Sequence, residues 1–532
     1  VDLVGNKNIR QAWDQLAAMH GSKTAVVFED AVGNISEYSY AEFNGEINRA
    51  ANLFLSLGIE KGDRVATQLN NCPEFLISWF GLAKIGAITV PINAQCLRNE
   101  CEYIIQHCEI KTVIVESQFV SHYQSEDAGG SQPNILVARI ADHIESSGTI
   151  NFSRELKNQP SELLQNVPVS SDDIAEIIFT SGTTSCPKGV VITHYNLLFA
   201  GHYSSWMCSL RDNDRYLTIM PACHIDFQCT TAMPAFHSGA ALILVEKYSA
   251  TKFWGQICHH RATVTECIPL VIRTLMLQPE APWEKDHQLR EVLFYLNLSE
   301  KEKEQFTHRF NVRLLTSYGM TETIVGNITD TPGFERRWPS IGRPGFCYDV
   351  RIVDADNQEV KPGELGEIVI KGIPGKTLFR EYYNNPEATA KTYDSEGWLH
   401  TGDFARMDND GYFFFVDRNV NLIKRSGENI SSTEIENALL THPQILDAAV
   451  IGVPDEMYDE IVKAVVVQEE NAFLTEADIQ GYCSERLAKF KVPAVIEFRK
   501  KLPRTSTGKV KKSVLKNERV CVWTDPDPLS AE

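Results

Sequence analysis

From Leu53 to about Lys247, short apolar runs alternate with helical ones, and that alternation leaves few folds open to the chain. Arg64–Gln68, Ala87–Pro91 and Thr112–Glu116 read as buried strands, and Tyr40–Leu57 and Pro73–Ile85 as helices. Strand, helix and strand in succession need crossover connections, so the sheet they build is largely parallel, with helices on its faces. A second stretch of the same kind runs from Tyr216 to roughly Gly326. Between Ser340 and Phe415 the pattern changes to short strands, Val350–Val353, Glu367–Lys371 and Gly411–Phe415, punctuated by Gly345, Gly363, Gly366, Gly372 and Gly375. A small β-rich subdomain over about 340–417 is expected there. A compact unit resumes after Asp417–Val420, with helices at Ser432–Thr441 and Thr475–Leu487 and strands at Ile445–Val453 and Lys463–Gln468. The expected fold is α/β: a large N-terminal domain over 1–417, a boundary at 418–421 and a small α+β C-terminal domain over 422–532, and the boundary is the place for a hinge if the small domain moves.

The chain has 532 residues, about 3.5 times a typical domain, so it can bury a large core without disulfides or metal. Its 51 basic and 70 acidic residues give a net charge of −19, which repels nucleic acid and anionic lipid at long range. Any phosphate site must therefore be local. The 13 cysteines include no C-x-x-C pair and, being odd in number, cannot all pair internally, so they read as reduced thiols of a cytoplasmic protein. Val1–Gly21 is polar and helical in pattern, so no signal peptide is expected, and the initial Val suggests that the genetic start lies elsewhere. The greasiest stretch, Phe75–Pro91, is interrupted by Lys84 and is too short to span a bilayer. Gln124–Asn134 reads as a surface loop and Val520–Glu532 as a loose end.

The string from Ile177 to Gly189 carries the most chemistry: an apolar strand runs into Thr180, Ser181, Gly182, Thr183, Thr184, Ser185, Cys186, Pro187 and Lys188. Glycine lets backbone N–H groups approach phosphate, hydroxyls add donors, and Lys188 adds charge. The Walker spacing is absent, because Lys188 precedes Gly189 and no Ser or Thr follows the lysine, which argues against a P-loop NTPase.

Five more motifs follow in order: Tyr318-Gly319-Met320-Thr321-Glu322-Thr323, Tyr382-Tyr383-Asn384-Asn385-Pro386-Glu387-Ala388-Thr389, Gly397-Trp398-Leu399-His400-Thr401-Gly402-Asp403, Ser426-Gly427-Glu428-Asn429-Ile430, and Pro503-Arg504-Thr505-Ser506-Thr507-Gly508-Lys509. With the phosphate-loop string, they make the chain resemble the adenylate-forming family, which includes acyl-CoA synthetases, luciferases and adenylation domains of peptide synthetases. The resemblance implies ATP, Mg²⁺ and a mobile C-terminal domain. It also implies that a carboxylate is made into an acyl-adenylate with pyrophosphate leaving, after which a thiol displaces AMP. Attack of one anion on another needs local positive charge and fixed geometry. By resemblance, Thr180 to Lys188 hold the β and γ phosphates, Thr321 touches the α-phosphate and Glu322 binds Mg²⁺. Tyr318, with Gly319 and Met320 after it, lies against adenine; Asp403 accepts the ribose hydroxyls, supported by Arg418; and Lys509 bridges carboxylate and α-phosphate. Lys509 lies among eight Lys or Arg between Arg499 and Lys516 without an acid, and a nucleic-acid patch is the competing reading there.

Several positions depart from the family pattern. Ser185 and Asp417 stand where glycine is usual, Val420 stands where a hinge Asp or Lys is common, and Phe294-Tyr295-Leu296-Asn297-Leu298 is one residue short of the usual segment.

No carrier-domain serine motif follows the C-terminal unit, and Ser426, Gly427 and Glu428 resemble the strip that lines the pantetheine tunnel of CoA ligases, so coenzyme A is the expected acceptor. A standalone adenylation enzyme feeding a carrier protein is the alternative. In Met220-Pro221-Ala222-Cys223-His224-Ile225-Asp226-Phe227, His224 matches the family's gating position of the acyl pocket. Members using fatty or aryl acids usually continue with apolar residues, whereas here Asp226 is a carboxylate that must face solvent, cap a helix or meet a cation brought by the substrate. Tyr203, Trp206, Phe227 and Tyr295 could offer aromatic faces to a quaternary ammonium. The likeness extends up to about Lys516 and points to relatives acting on betaine-type carboxylic acids; another small or medium acid is the alternative. No nucleic-acid or membrane partner is expected, and the sequence leaves a homo-oligomer open.

Overall fold

In the computed structural model the described residues are 2–124, 133–140, 148–180, 187–295, 298–418, 421–425, 428–455, 459–470, 472–487, 489–504 and 509–517. They fall into two compact units, a large one holding most of the chain up to Phe414 and a small one from Phe415 onward.

A seven-stranded sheet in the large unit runs in the order Thr149–Asn151, Asn134–Ala138, Thr112–Glu116, Arg64–Gln68, Ile88–Pro91, Ile174–Thr180, Lys188–Thr193. Its pairs are parallel except the last, where Ile174–Thr180 meets Lys188–Thr193 antiparallel. The seven residues between those two strands are too few for a crossover, so the chain has to double back. The helix Pro73–Ile85 has the bounds expected from sequence: proline occupies its first turn, and Gly86 ends it at φ +72°. All its residues but Glu74 are buried. Lys84, which interrupts the greasy stretch, is fully buried and answers three oxygens: Asp14 Oδ1 at 2.7 Å, Asn44 Oδ1 at 2.7 Å and Asn48 Oδ1 at 2.8 Å. One ammonium thereby joins the helix Pro73–Ile85 to Ile9–His20 and Tyr40–Ser56. Among the described residues no helix is long and apolar enough to cross a membrane.

The second sheet has nine strands, ordered Arg343–Pro344, Ile328–Thr329, Leu314–Tyr318, Glu291–Phe294, Val264–Cys267, Arg215–Thr218, Ala241–Val245, Thr24–Glu29, Ile35–Ser39. Its six central strands are parallel and its outer pairs antiparallel. Leu217, Ile243, Cys267, Val292 and Phe294 build a core on one face with Phe253, Ile257, Val271 and Phe306. The β-rich stretch is a four-stranded sheet of Asp349–Val353, Gly366–Lys371, Trp398–Met407 and Phe413–Arg418. The last strand begins two residues later than the expected Gly411–Phe415, because Gly411 at φ +80° belongs to the preceding turn, where Asp408 Oδ1 accepts from Asp410 N and Tyr412 N.

The small unit has a sheet ordered Glu428–Ser431, Leu422–Arg425, Asp459–Gln468, Ile445–Asp455, with Val495–Phe498 parallel to Asp459–Gln468. The helices Ser432–Leu440 and Glu476–Ser484 complete its core through Ile435, Leu439, Ile479 and Cys483. All eleven described cysteines are free thiols. Most of the Gln124–Asn134 loop and all of Val520–Glu532 lie outside the described residues.

Candidate active site

Hairpin register sets Thr180 opposite Lys188, so the phosphate-loop string is slung between two fixed strand ends. Ser181, Gly182, Thr183 and Thr184 lie outside the described residues, with Ser185 and Cys186. Lys188 Nζ stands 4.9 Å from the centroid of the Tyr382 ring, within cation–π reach. The Tyr382 hydroxyl donates to Glu322 Oε1 at 2.6 Å. Burial and, after it, the Glu322 charge push the Tyr382 hydroxyl pKa far up, so it remains a donor at neutral pH. Tyr382 thus holds a candidate phosphate lysine on its face and a candidate metal carboxylate at its hydroxyl. Sequence reading placed Tyr382 in a motif without giving it a part. A tyrosine of one motif is recognisable as the link between residues of two others only once the chain has brought them together.

Strand Leu314–Tyr318 delivers Tyr318 at its end, and the chain then turns sharply. At Gly319 a Cβ would lie 2.5 Å from Val325 O, so only glycine fits. Met320 N donates to Thr323 Oγ1 at 2.9 Å across the single 3₁₀ turn Thr321–Thr323. Ile324 then takes φ +67° and ψ −46°, with Val325 N donating to Thr323 O at 2.7 Å. That is a γ-turn of the rare, strained kind, at a β-branched residue. The Ile324 side chain is buried, and Phe379 N donates to Glu322 O at 2.9 Å. Glu322 itself is only 6% exposed.

Of the acyl-pocket candidates, His224, Asp226 and Phe227 lie in the segment after Arg215–Thr218, and Tyr295 follows the strand Glu291–Phe294. His224 Nε2 lies 3.3 Å from Asn93 Nδ2. Asp226 opens a π-helical turn, Asp226–Ala232, that continues into the helix Met233–His237. Such turns concentrate at functional sites. Asp226 is half-buried, and its Oδ1 accepts from the Thr230 hydroxyl at 2.5 Å. Tyr295 lies near enough that burial, the Asp226 charge and then Glu266 push its hydroxyl pKa well up. Trp206 packs against Tyr203 and Phe346, with ring centroids 5.5 and 4.8 Å away, and lines a shallow groove with Ser205, Leu210, His237 and Pro332. None of the other candidate residues lines that groove. Phe227 is buried in the core, edge-on to Phe75.

The remaining candidates lie further along the chain. Asp403 is buried in the strand Trp398–Met407, and Arg418 ends Phe413–Arg418. Ser426 and Gly427 lie outside the described residues, between Arg425 and Glu428, which pair across the hairpin. Lys509 is exposed; its loop is closed at the base by a bridge between Arg504 and Val510 and by Lys511 N donating to Pro503 O at 2.8 Å. Asp417, one of the departures from the family pattern, has a local explanation. Its Oδ2 accepts from Ser432 Oγ at 2.7 Å and Thr433 N at 3.1 Å, capping the helix Ser432–Leu440 as glycine could not. Ser432 Oγ also accepts from Lys512 Nζ at 2.6 Å, and Lys512 pairs with Glu436 at 2.7 Å.

The sequence profile of the AMP-binding enzyme family matches residues 13–383, and that of the AMP-binding enzyme C-terminal domain matches 434–509. The chain belongs to the AMP-binding enzyme family. The resemblance drawn from the ordered motifs is therefore borne out. The crotonobetaine/carnitine–CoA ligase of Salmonella typhimurium strain LT2 is 56% identical over 517 residues, covering 97% of this chain and all of that protein. Among solved structures, the anthranilate CoA ligase AuaEII in complex with anthranoyl-AMP is 26% identical at a TM-score of 0.86, covering 97% of both chains. ATP-bound MatB from Rhodopseudomonas palustris is also 26% identical, at a TM-score of 0.85, covering 96% of this chain and 98% of that one.

Proposed function

We propose that this enzyme joins a trimethylammonium carboxylate to coenzyme A at the expense of ATP, with crotonobetaine, L-carnitine and γ-butyrobetaine as its acids. The observation that carries the reading is the end-to-end identity of 56% with crotonobetaine/carnitine–CoA ligase. An acid in the acyl-pocket segment, Asp226, supports it independently, since a carboxylate there attracts a cationic tail.

The carboxylate oxygen of the acid attacks the α-phosphorus of ATP and pyrophosphate leaves; the thiol of coenzyme A then attacks the acyl carbon and AMP leaves. The donor set around Tyr382 fits the first step. The Lys188 ammonium is a phosphate partner, and the Glu322 carboxylate is a hard oxygen ligand suited to Mg²⁺. Bound there, Mg²⁺ supplies charge neutralisation on the phosphate oxygens. Tyr382 keeps Glu322 aimed, Thr321 lies at the α-phosphate, Thr180 to Thr184 clasp the β and γ phosphates, and Tyr318 with Gly319 and Met320 borders adenine. Asp403 and Arg418 hold the ribose. Lys509 neutralises the carboxylate and the α-phosphate as they approach. The small domain, turning about 418–421, withdraws Lys509 and brings Ser426, Gly427 and Glu428 to the pantetheine arm. His224 gates the acyl pocket, and Asp226, with Tyr295 and Trp206, meets the tail.

Pyrophosphate release and thioester formation, measured with a panel of acids with and without coenzyme A, test the reading. It requires pyrophosphate release with betaines and a thioester only when coenzyme A is present. Equal turnover of neutral acids of the same length, with no preference for betaines, would sink the substrate assignment.

A further inference from the structure

Two neighbouring strands of the seven-stranded sheet, Arg64–Gln68 and Ile88–Pro91, run parallel with Thr67 in register with Pro91, so they finish side by side. Asn71 follows the first and Asn93 the second, and both side chains reach the segment that carries His224. That segment leaves the other sheet, after the strand Arg215–Thr218. Asn71 is buried. Its Nδ2 donates to Met220 O at 2.9 Å and to Val245 O at 3.2 Å, and its Oδ1 accepts from Ala222 N at 2.8 Å. Ala222 O in turn accepts from Gln228 Nε2 at 3.1 Å, and the same NH2 donates to Glu176 Oε1 at 2.7 Å, on the strand that leads to Thr180. The N–H and the C=O of Ala222 are thus each answered by a buried carboxamide. His224 N donates to Pro221 O at 3.0 Å and Gln228 N to His224 O at 3.2 Å, so the backbone at His224 is fixed on every side.

The ring is held separately. Asn93 is half-buried, and its backbone oxygen accepts from Gln68 Nε2 at 3.2 Å. Its Oδ1 accepts from Gln95 N at 2.8 Å. A backbone N–H needs an acceptor, so this bond settles which end of the carboxamide is oxygen, and the end 3.3 Å from His224 Nε2 is the NH2. An NH2 group only donates. Nε2 therefore accepts, and the proton of the neutral ring sits on Nδ1. Without such a partner, a neutral imidazole exchanges its two tautomers and can turn over around its Cβ–Cγ bond. It would then offer an incoming acid a donor in one turnover and an acceptor in the next.

Building on the reading of His224 as the gate of the acyl pocket, we propose that Asn93 is a positioning residue that locks His224 in the Nδ1–H tautomer and in one ring orientation, while Asn71 and Gln228 hold the backbone beneath it. Asn93 acts through the ring. It makes the gate a single chemical object, with an identical face at each turnover, and the seven-stranded sheet supplies that constancy to a segment that belongs to the other sheet.

Two measurements test this on the full chain. In the first, nitrogen NMR of the enzyme labelled with ¹⁵N-histidine, with the His224 signals assigned by their loss in His224→Ala, should show a protonated Nδ1 and a bare Nε2. Asn93→Asp, equal in size but presenting an acceptor, should move that proton to Nε2. The second is a double-mutant cycle on kcat/KM for the acid. His224→Ala should impair use of the acid, and Asn93→Ala should lower kcat/KM about tenfold, the scale of one hydrogen bond, with the KM for ATP nearly unchanged. In the His224→Ala background Asn93→Ala should cost nothing more, because its effect has lost the ring it acts through. Unaltered acid kinetics in His224→Ala would overturn the gate reading and this inference with it. Impaired acid use in His224→Ala together with a ring protonated on Nε2 in the unaltered enzyme, or with an equal loss from Asn93→Ala in both backgrounds, would overturn the inference alone.

Discussion

Replacing Tyr382 with phenylalanine removes one oxygen and keeps the ring, so it isolates the bond to Glu322. That bond is 2.6 Å long, joins a neutral donor to a carboxylate, and is nearly closed to water. Hydrogen bonds to charged groups contribute about 1.5–3 kcal/mol, and each 1.36 kcal/mol is tenfold in rate, so adenylation should slow by roughly 10- to 150-fold. The ring face that Lys188 approaches remains, so the loss should appear chiefly in the Mg²⁺ dependence. The assay is pyrophosphate release at saturating acid, with free Mg²⁺ varied and thermal unfolding confirming that the variant is folded. Tyr382→Leu, which also removes the ring, should cost a further 0.5–2 kcal/mol or so through the lost cation–π contact. A folded Tyr382→Phe enzyme within threefold of the original at every Mg²⁺ concentration would refute the claim that this hydroxyl aims Glu322.

Three further outcomes are expected. Lys509→Ala should abolish most acyl-adenylate formation while sparing thioester formation from supplied acyl-adenylate; equal loss in both half-reactions would contradict the role given to Lys509. Asp226→Asn should raise the KM for crotonobetaine about tenfold, roughly 1.4 kcal/mol, and leave that for ATP nearly unchanged, which steady-state kinetics would check. Glu176 is fully buried, and burial raises its carboxyl from 4.5 to about 8. The folded chain therefore binds a proton more tightly there than the unfolded chain, and that contribution to stability is lost as pH rises from about 4.5 to about 8, at up to about 1.4 kcal/mol per pH unit. Glu176→Gln mimics the protonated form and should gain stability over the original protein across that window, as measured by denaturant unfolding at several pH values; a constant difference would count against a buried neutral acid.

What could be read from sequence was whatever local chemistry fixes. Pro73 and Gly86 mark both ends of their helix, and the runs at Arg64–Gln68 and Thr112–Glu116 are strands with the bounds expected of them. The motifs were legible for the same reason, since glycine, hydroxyl and lysine at fixed spacing are needed wherever a backbone wraps phosphate. What escaped notice depends on residues distant in sequence. The cap that Asp417 provides reaches fifteen positions onward to Ser432, and the bond between Tyr382 and Glu322 spans sixty. A π-helical turn has no periodic signature, so nothing in the string around Asp226 announced it.

The turn at Ile324 has a bearing on how the enzyme fails when heated. A β-branched residue at positive φ costs on the order of 1–3 kcal/mol, and burying its side chain returns a similar amount. The two nearly cancel, so the turn beside Glu322 keeps its shape only while the core around Ile324 is tightly packed. Loosening that core by a few tenths of an ångström, as warming does well below the melting midpoint, relaxes the backbone toward ordinary angles and lets the Glu322 carboxylate drift from its aim. If Glu322 holds the metal, activity is therefore expected to fall on warming at temperatures where unfolding is not yet seen, which paired activity and unfolding curves would check.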